Sequence, residues 1–307
     1  MNLWWLFLFP AVAAEEAIRC MSIYGCETSL SNWVCSWKHD VEWYIEKLYD
    51  LQFNTLRLPF SRQYVLQNDF SNYDRAMNKA YELNMSVILD LHRIYSDYQD
   101  PTPFSRGLTM DEFKSTWFTM LDRYKWFPKL SMNAYNEYQL ADPVLLNDYT
   151  RELFKSVEER YPDLIKRYYS TGTRWSGDLA GVYIDLPFQE RVHYSIHKYW
   201  FSLPKDGTTD YEHDWDVSIP LSLNSSKIIV GEFGWKSQEP KEVAWAHRFL
   251  DYLKRRGIVD TCAWTVAHST DTNGWWLDDC ETFDWAKYSI LKDFWFGSSR
   301  GHLRGSS

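Results

Sequence analysis

The sequence predicts an α/β protein folded as a single-domain (β/α)8 (TIM) barrel, and three observations predict it. Between residues 18 and 296, short β-branched and aromatic runs alternate with amphipathic stretches, the pattern of βα units around a parallel sheet. Eight such runs can be marked. The 307 residues contain no internal repeat and no Pro/Ser/Gly-rich linker, and one barrel of about 250 residues plus insertions uses nearly all of them.

The strands are expected near 18–24, 53–58, 86–91, 130–136, 166–172, 192–197, 227–232 and 260–266. Helices fill the gaps. Val41, Ile45, Leu48 and Leu51 recur at the helical period. Thr109 and Glu112 form a capping box ahead of Phe113, Trp117 and Leu121. Asp142-Pro143 reads as an N-cap followed by proline at the first helical position, with Pro162 just past the helix end. Pro240 opens a helix that closes on Lys254-Arg255-Arg256-Gly257, basic residues and then a terminating glycine. Trp285 to Trp295 is the last helix, and the polar, glycine- and serine-rich tail 297–307 is expected to be disordered.

The first residues read differently. Leu3 to Phe9 is an apolar run too short to span a bilayer as a helix; Pro10 and Ala11-Val12-Ala13-Ala14 come next, a small-residue stretch suited to signal peptidase. Residues 1–14 are therefore expected to be a signal peptide, 15–296 a catalytic barrel, and the mature protein secreted and free of the membrane. Two sequons, Asn84-Met85-Ser86 and Asn224-Ser225-Ser226, fit secretion. So do five cysteines, Cys20, Cys26, Cys35, Cys262 and Cys280, which an oxidising compartment allows to pair. Cys26 and Cys35 flank one short loop and are near enough in sequence to bridge it. No cysteine spacing suggests zinc.

A net charge of −9 with no dense Lys/Arg run argues against nucleic acid or an anionic membrane as partner. Aromatic residues are 18% of the chain; each is more simply a core residue than a sugar platform, so composition alone decides nothing about ligands. A monomer is expected.

In such a barrel, chemistry sits at the C-terminal ends of the strands. The polar residues found there are Arg57 on the second strand, His92 on the third, Asn136 and Glu137 on the fourth, His197 and Tyr199 on the sixth, and Glu232 on the seventh; Trp264 lies on the eighth. Two glutamates ending strands four and seven would face each other across the barrel mouth. One carboxylic acid to protonate a leaving oxygen and one carboxylate to attack an anomeric carbon are what retaining glycoside hydrolysis requires. Taken singly, each residue has a plain structural explanation: a solvated loop acid, a core histidine, an internal ion pair. Their joint position on one face is what the plain explanation leaves out.

On these residues, the chain resembles glycoside hydrolase family 5, the cellulase-type group of retaining barrel glycosidases, from Ile23-Tyr24-Gly25 to the last helix. Gly231-Glu232-Phe233-Gly234 looks like that family's nucleophile motif and Asn136-Glu137 like its acid/base motif. The resemblance implies that Glu232 is the nucleophile, Glu137 the acid/base, Arg57 the residue orienting Glu232, and Asn136 the holder of a sugar 2-hydroxyl. It also implies that His92, His197 and Tyr199 line the subsite of cleavage and that Trp264 is its floor. Asp271 to Asp279 resembles the family's loop after strand eight. Tyr138 stands where many members have proline, and Trp275-Trp276 come after Asn273-Gly274 where two glycines are expected; both departures are expected to touch the cleft.

The expected activity is cleavage of a β-linked polysaccharide or oligosaccharide, foremost endo-β-1,4-glucan, with a β-mannanase or exo-β-1,3-glucanase as alternatives of the same mechanism. An inactive carbohydrate-binding barrel is the non-enzyme alternative. No cofactor or metal is expected. A metal-dependent hydrolase built on Asp90, His92 and His197 is the remaining reading, weak for want of further ligands.

Overall fold

A computed structural model describes residues 16–202, 211–269 and 273–297; the expected signal peptide and the tail beyond Gly297 lie outside the described residues. Eight parallel strands close into a barrel in sequence order: β1 Arg19–Ile23, β2 Thr55–Ser61, β3 Ser86–Arg93, β4 Leu130–Asn133, β5 Tyr168–Thr171, β6 Val192–Tyr199, β7 Ile228–Gly234 and β8 Asp260–Val266. β8 pairs back onto β1. The helices are α1 Val41–Asp50, α2 Arg62–Gln67, α3 Ser71–Glu82, α4 Met110–Tyr124, α5 Pro143–Arg160, the single turn α6 Thr173–Ser176, α7 Tyr211–Ser218, α8 Pro240–Arg256 and α9 Trp285–Phe296. Among the described residues no helix is long and apolar enough to cross a membrane.

The start and stop signals act as their chemistry dictates. Thr109 Oγ1 accepts from Glu112 N while Glu112 Oε2 accepts from Thr109 N, closing the capping box of α4. Asp142 caps α5 with Pro143 at its first turn, and Gly257 ends α8 at φ 67°, where a residue without Cβ is unstrained.

Alternation along the strands divides two populations of side chains. Leu56, Leu58 and Phe60 of β2, with Val87, Leu89 and Leu91 of β3, belong to the large apolar layer shared with the helices. Ile18, Cys20, Ile88, Tyr169, Ile229 and Cys262 form a separate, smaller cluster, the plug inside the barrel. Polar residues continue the same inward-facing rows: Asp90 and His92 after Ile88, and Trp264 after Cys262.

Three expectations are corrected. β4 is shorter than 130–136, ending at Asn133, so Asn136 and Glu137 stand on the segment just beyond it. β2 runs on to Ser61, which makes Arg57 an interior residue of its strand rather than the last. Cys26 and Cys35 do not bridge. Cys20 pairs with Cys262 and Cys35 with Cys280, across sequence separations of 242 and 245, and Cys26 is a buried free thiol. The first bond lies within the barrel plug between neighbouring β1 and β8; the second joins the loops that come after those two strands.

Candidate active site

β7 shows how backbone geometry delivers a side chain. Ile229 faces the interior, so strict alternation would turn Glu232, three residues on, toward the helices. Instead the pairing register shifts: Ile196 pairs with Val230 but the next residue, His197, pairs with Glu232. Gly231 is left as the extra residue of a bulge that re-aims the side chains after it. Only glycine fits there. A β-carbon on Gly231 would stand 2.0 Å from Ser195 Oγ and 3.1 Å from His197 Nε2.

Glu232 so placed is buried and has a donor at each oxygen. Arg57 Nη1 donates to Oε1 at 2.7 Å and Tyr199 Oη to Oε2 at 2.9 Å. The Tyr199 phenol is pushed well above its ordinary pKa by burial and by the Glu232 charge, so it remains a donor. Arg57 Nη2 reaches Asn136 Oδ1 at 2.5 Å and Asp90 Oδ2 at 3.0 Å. Burial alone would raise the Asp90 carboxyl, yet it is held below its ordinary value by the Arg57 guanidinium and by hydrogen bonds from His92 and Asn133. With Asp90 ionised, His92 presents Nδ1–H to it at 2.7 Å, which leaves Nε2 to accept from Asn136 Nδ2 at 3.1 Å. The second proton on Asn136 Nδ2 is then free for a ligand.

Glu137 has different surroundings. Its side chain keeps 15% exposure toward the cleft, and its oxygens meet His197 Nδ1 and Gln99 Nε2, each at 2.9 Å. Burial pushes its pKa up to about 7, against the lowering pull of His92, Gln99 and Arg57. His197 is lowered to about 4, again by burial first, with Glu232 opposing. Near neutrality His197 is therefore uncharged. Its Nδ1 also lies 3.6 Å from Glu232 Oε2, and a carboxyl oxygen from each glutamate lies within 4.8 Å of the other. That is the scale of the retaining geometry, about 5–5.5 Å between carboxyl groups.

These groups line a cleft of about 600 Å³ together with Arg93, Trp175, Phe201, Trp264 and Asn273. Trp264 lies parallel to the His92 ring at 5.2 Å and near Tyr24 at 5.7 Å, a face suited to a pyranose ring. A larger cavity of about 770 Å³ opens at the other end of the barrel, among Arg19, Asn54, Ser86 and Lys129; the two glutamates are not part of it.

All eight residues expected from the sequence, Arg57, His92, Asn136, Glu137, His197, Tyr199, Glu232 and Trp264, line this cleft or bond directly to residues that do. Sequence reasoning missed Gln99, Trp175, Phe201 and the structural part of Asp90. Asp90 had a signal, since it shares the inward row of β3 with His92; the others come from loops and single turns, where no period applies. The departures from the family pattern divide: Asn273 lines the cleft as expected, while Tyr138, Trp275 and Trp276 do not. Tyr138 is buried and donates to Asp142 O at 3.0 Å. Trp275 and Trp276 are also buried, with Trp275 Nε1 donating to Trp264 O at 2.9 Å and Trp276 edge-on to Tyr44. They pack against Trp235 and Phe283.

The metal reading fails on donor chemistry. Asp90 already spends Oδ2 on Arg57 and His92 and Oδ1 on Asn133, and a guanidinium 3.0 Å away repels a cation. Glu137, His197 and Glu232 are close enough to share one, but Glu232 is likewise neutralised by Arg57.

A parallel barrel whose C-terminal mouth holds two unlike carboxyls across an aromatic-walled cleft defines a glycoside hydrolase. Comparison with known proteins agrees: the model of the cellulase family (glycosyl hydrolase family 5) matches residues 15–269, and the chain belongs to that family. An endoglucanase of Paenibacillus polymyxa is 23% identical over 90% of this chain and 82% of its own length. Endoglucanase G of Acetivibrio thermocellus is 31% identical over 43% of this chain and 26% of its own. Among solved structures, the catalytic domain of the major endoglucanase of Xanthomonas campestris pv. campestris superposes with a TM-score of 0.79 at 18% identity, covering 91% of this chain and 94% of that one. The endocellulase of Pyrococcus horikoshii, solved as a complex with cellotetraose, does so with a TM-score of 0.77 at 19% identity, covering 91% and 92%.

Proposed function

We propose that the chain is an endo-β-1,4-glucanase that cleaves cellulose-type chains by double displacement, with Glu232 as nucleophile and Glu137 as acid/base. The observation that carries this is the contrast between two carboxyls within 4.8 Å. Glu232 receives Arg57 and Tyr199, one donor per oxygen, which hold the attacking carboxyl in place. Glu137 has its pKa raised to about 7 and keeps a proton to give to the leaving oxygen. Once Glu232 is esterified, Glu137 is left as a carboxylate able to take a proton from water. Asn136 is the proposed contact for the sugar 2-hydroxyl, through its free Nδ2 proton, and Trp264 the proposed floor.

The preference for a β-1,4-glucan rests on the endoglucanase relatives and on the cellotetraose bound by the Pyrococcus horikoshii enzyme. Side-by-side assay of barley β-glucan, mannan and laminarin tests it: faster hydrolysis of mannan or laminarin than of β-glucan would displace the assignment. An NMR time course on a defined cello-oligosaccharide tests the mechanism, with the β-anomer expected first.

Secretion is part of the same proposal. Two disulfides support folding in an oxidising compartment, and recovery of the processed chain from culture medium is the direct check. We propose a monomer as the working form, to be tested by light scattering.

A further inference from the structure

Gln99 is not among the groups that the retaining mechanism calls for, yet it bonds directly to Glu137. It lies in the loop between β3 and α4, and its Nε2 donates to Glu137 Oε2 at 2.9 Å. The loop is fastened to the segment that carries Glu137 at points placed symmetrically about it. Two residues before Glu137, Tyr135 Oη donates to Asp100 O at 2.7 Å. Two residues after it, Gln139 donates twice: Nε2 to Gln99 O and the backbone N to Pro101 O, both at 2.9 Å. Asp100 is in turn held by Arg106 at 2.8 Å, whose guanidinium lies over the Tyr95 ring. Gln99, Asp100 and Pro101 are thus gripped on both sides of the glutamate, and the amide is presented to the carboxyl by the carboxyl's own flanks.

We propose that Gln99 is a positioning residue for Glu137: its amide N–H fixes the rotamer of the carboxyl toward the cleft. The inference rests on the assignment of Glu137 as acid/base. With His197 on Oε1 and Gln99 on Oε2, both oxygens are held, so the carboxyl cannot swing away between its two tasks. The other groups facing Glu137 are Glu232 on β7, His197 and Tyr199 on β6, His92 and Asp90 on β3, Arg57 on β2 and Tyr135 on its own segment. Apart from the His197 bond, these act on it through charge and burial. Gln99 has no charge of its own at any pH, and the direction of its effect is unambiguous: a hydrogen bond given to a carboxylate favours ionisation, so its loss raises the pKa.

The test is the pH dependence of kcat/KM on a cello-oligosaccharide for the wild type, Gln99→Met and Gln99→Glu, with Glu137→Gln alongside. Gln99→Met keeps length and removes the donor; the alkaline limb should move up by about one pH unit, with kcat lowered severalfold and KM little changed. Gln99→Glu places a second carboxyl against the first and should move the limb further in the same direction. Gln139→Leu, outside the cleft, should reproduce part of the Gln99→Met shift by loosening the loop. An unmoved limb in both Gln99 variants overturns the proposal, whether their activity falls or not. If Glu137→Gln keeps full turnover, the acid/base assignment itself is wrong and the proposal falls with it, a result distinct from an inactive Glu137→Gln beside unshifted Gln99 variants.

Discussion

Gly231 passes so close to Ser195 that any side chain on it would have to occupy the serine's hydroxyl position. The glycine is the extra residue of the β7 bulge, and the bulge is what turns Glu232 inward. Gly231→Ala is therefore expected to cost about 1–3 kcal/mol of stability through overpacking and at least tenfold in kcat/KM through displacement of Glu232 and His197. Adding Ser195→Ala should recover much of both. Chemical denaturation and steady-state kinetics on the single and double variants check this; full activity in Gly231→Ala alone would contradict it.

Removing the nucleophile leaves the rest of the machinery in place. Glu232→Ala should lose turnover by several orders of magnitude, and azide or formate should restore part of it on an activated aryl glycoside by filling the vacated space. The product should then have inverted stereochemistry, readable by NMR. Retention in the rescued reaction would mean that another group attacks.

The raised Glu137 pKa has consequences for activity and stability, and both can be signed. Activity requires the protonated form, so kcat/KM should fall as pH rises through about 7. For stability, a carboxyl whose folded value lies above its ordinary 4.5 contributes no penalty below 4.5; the penalty grows as pH rises toward 7 and is complete above it. Glu137→Gln should accordingly be more stable than the wild type at pH 8, by roughly 3 kcal/mol at 1.36 kcal/mol per pKa unit, and no more stable at pH 4. Thermal melts at the two pH values decide. The same variant should lose activity most on substrates with poor leaving groups.

The two disulfides should act non-additively. Opening one alone leaves the other holding β1 near β8, so only a ring of some thirty residues is released, worth roughly 4 kcal/mol in the chain-entropy account; opening the second then releases a loop of more than two hundred residues and costs roughly 5 more. Paired Cys→Ser variants at Cys20/Cys262, at Cys35/Cys280 and at all four positions, compared by denaturant titration, test the order of effects.

The fold was legible because alternation and capping are local. Leu56-Arg57-Leu58 and Leu89-Asp90-Leu91-His92 announce strands with one polar and one apolar face, and Thr109 with Glu112 announces a helix start. The ends of those strands then identified the cleft residues without any contact being known. The features that stayed hidden depend on chain closure or on loops. The pairing of Cys20 with Cys262 comes from β1 meeting β8, which no spacing encodes, and the short Cys26–Cys35 interval suggested a bridge that the fold does not make. Gln99 reaches Glu137 from a loop whose course is set by Tyr135, Gln139 and Arg106. Trp275 and Trp276 belong to a departure expected to touch the cleft and are packing in the structure, because burial of a ring face cannot be read from its identity. Glu232 was located by its place at the strand end, whereas counting by twos from Ile229 would have pointed it the wrong way.

Because both sulfur bridges cross the seam where the barrel's first and last strands meet, the polypeptide behaves as a covalent hoop rather than a line with two loose ends. A single cut by a protease anywhere between Cys35 and Cys262 leaves both halves tethered in one body. New termini could be opened in an exposed connection within that span and the old ones joined, without the circuit of strands losing its clasp.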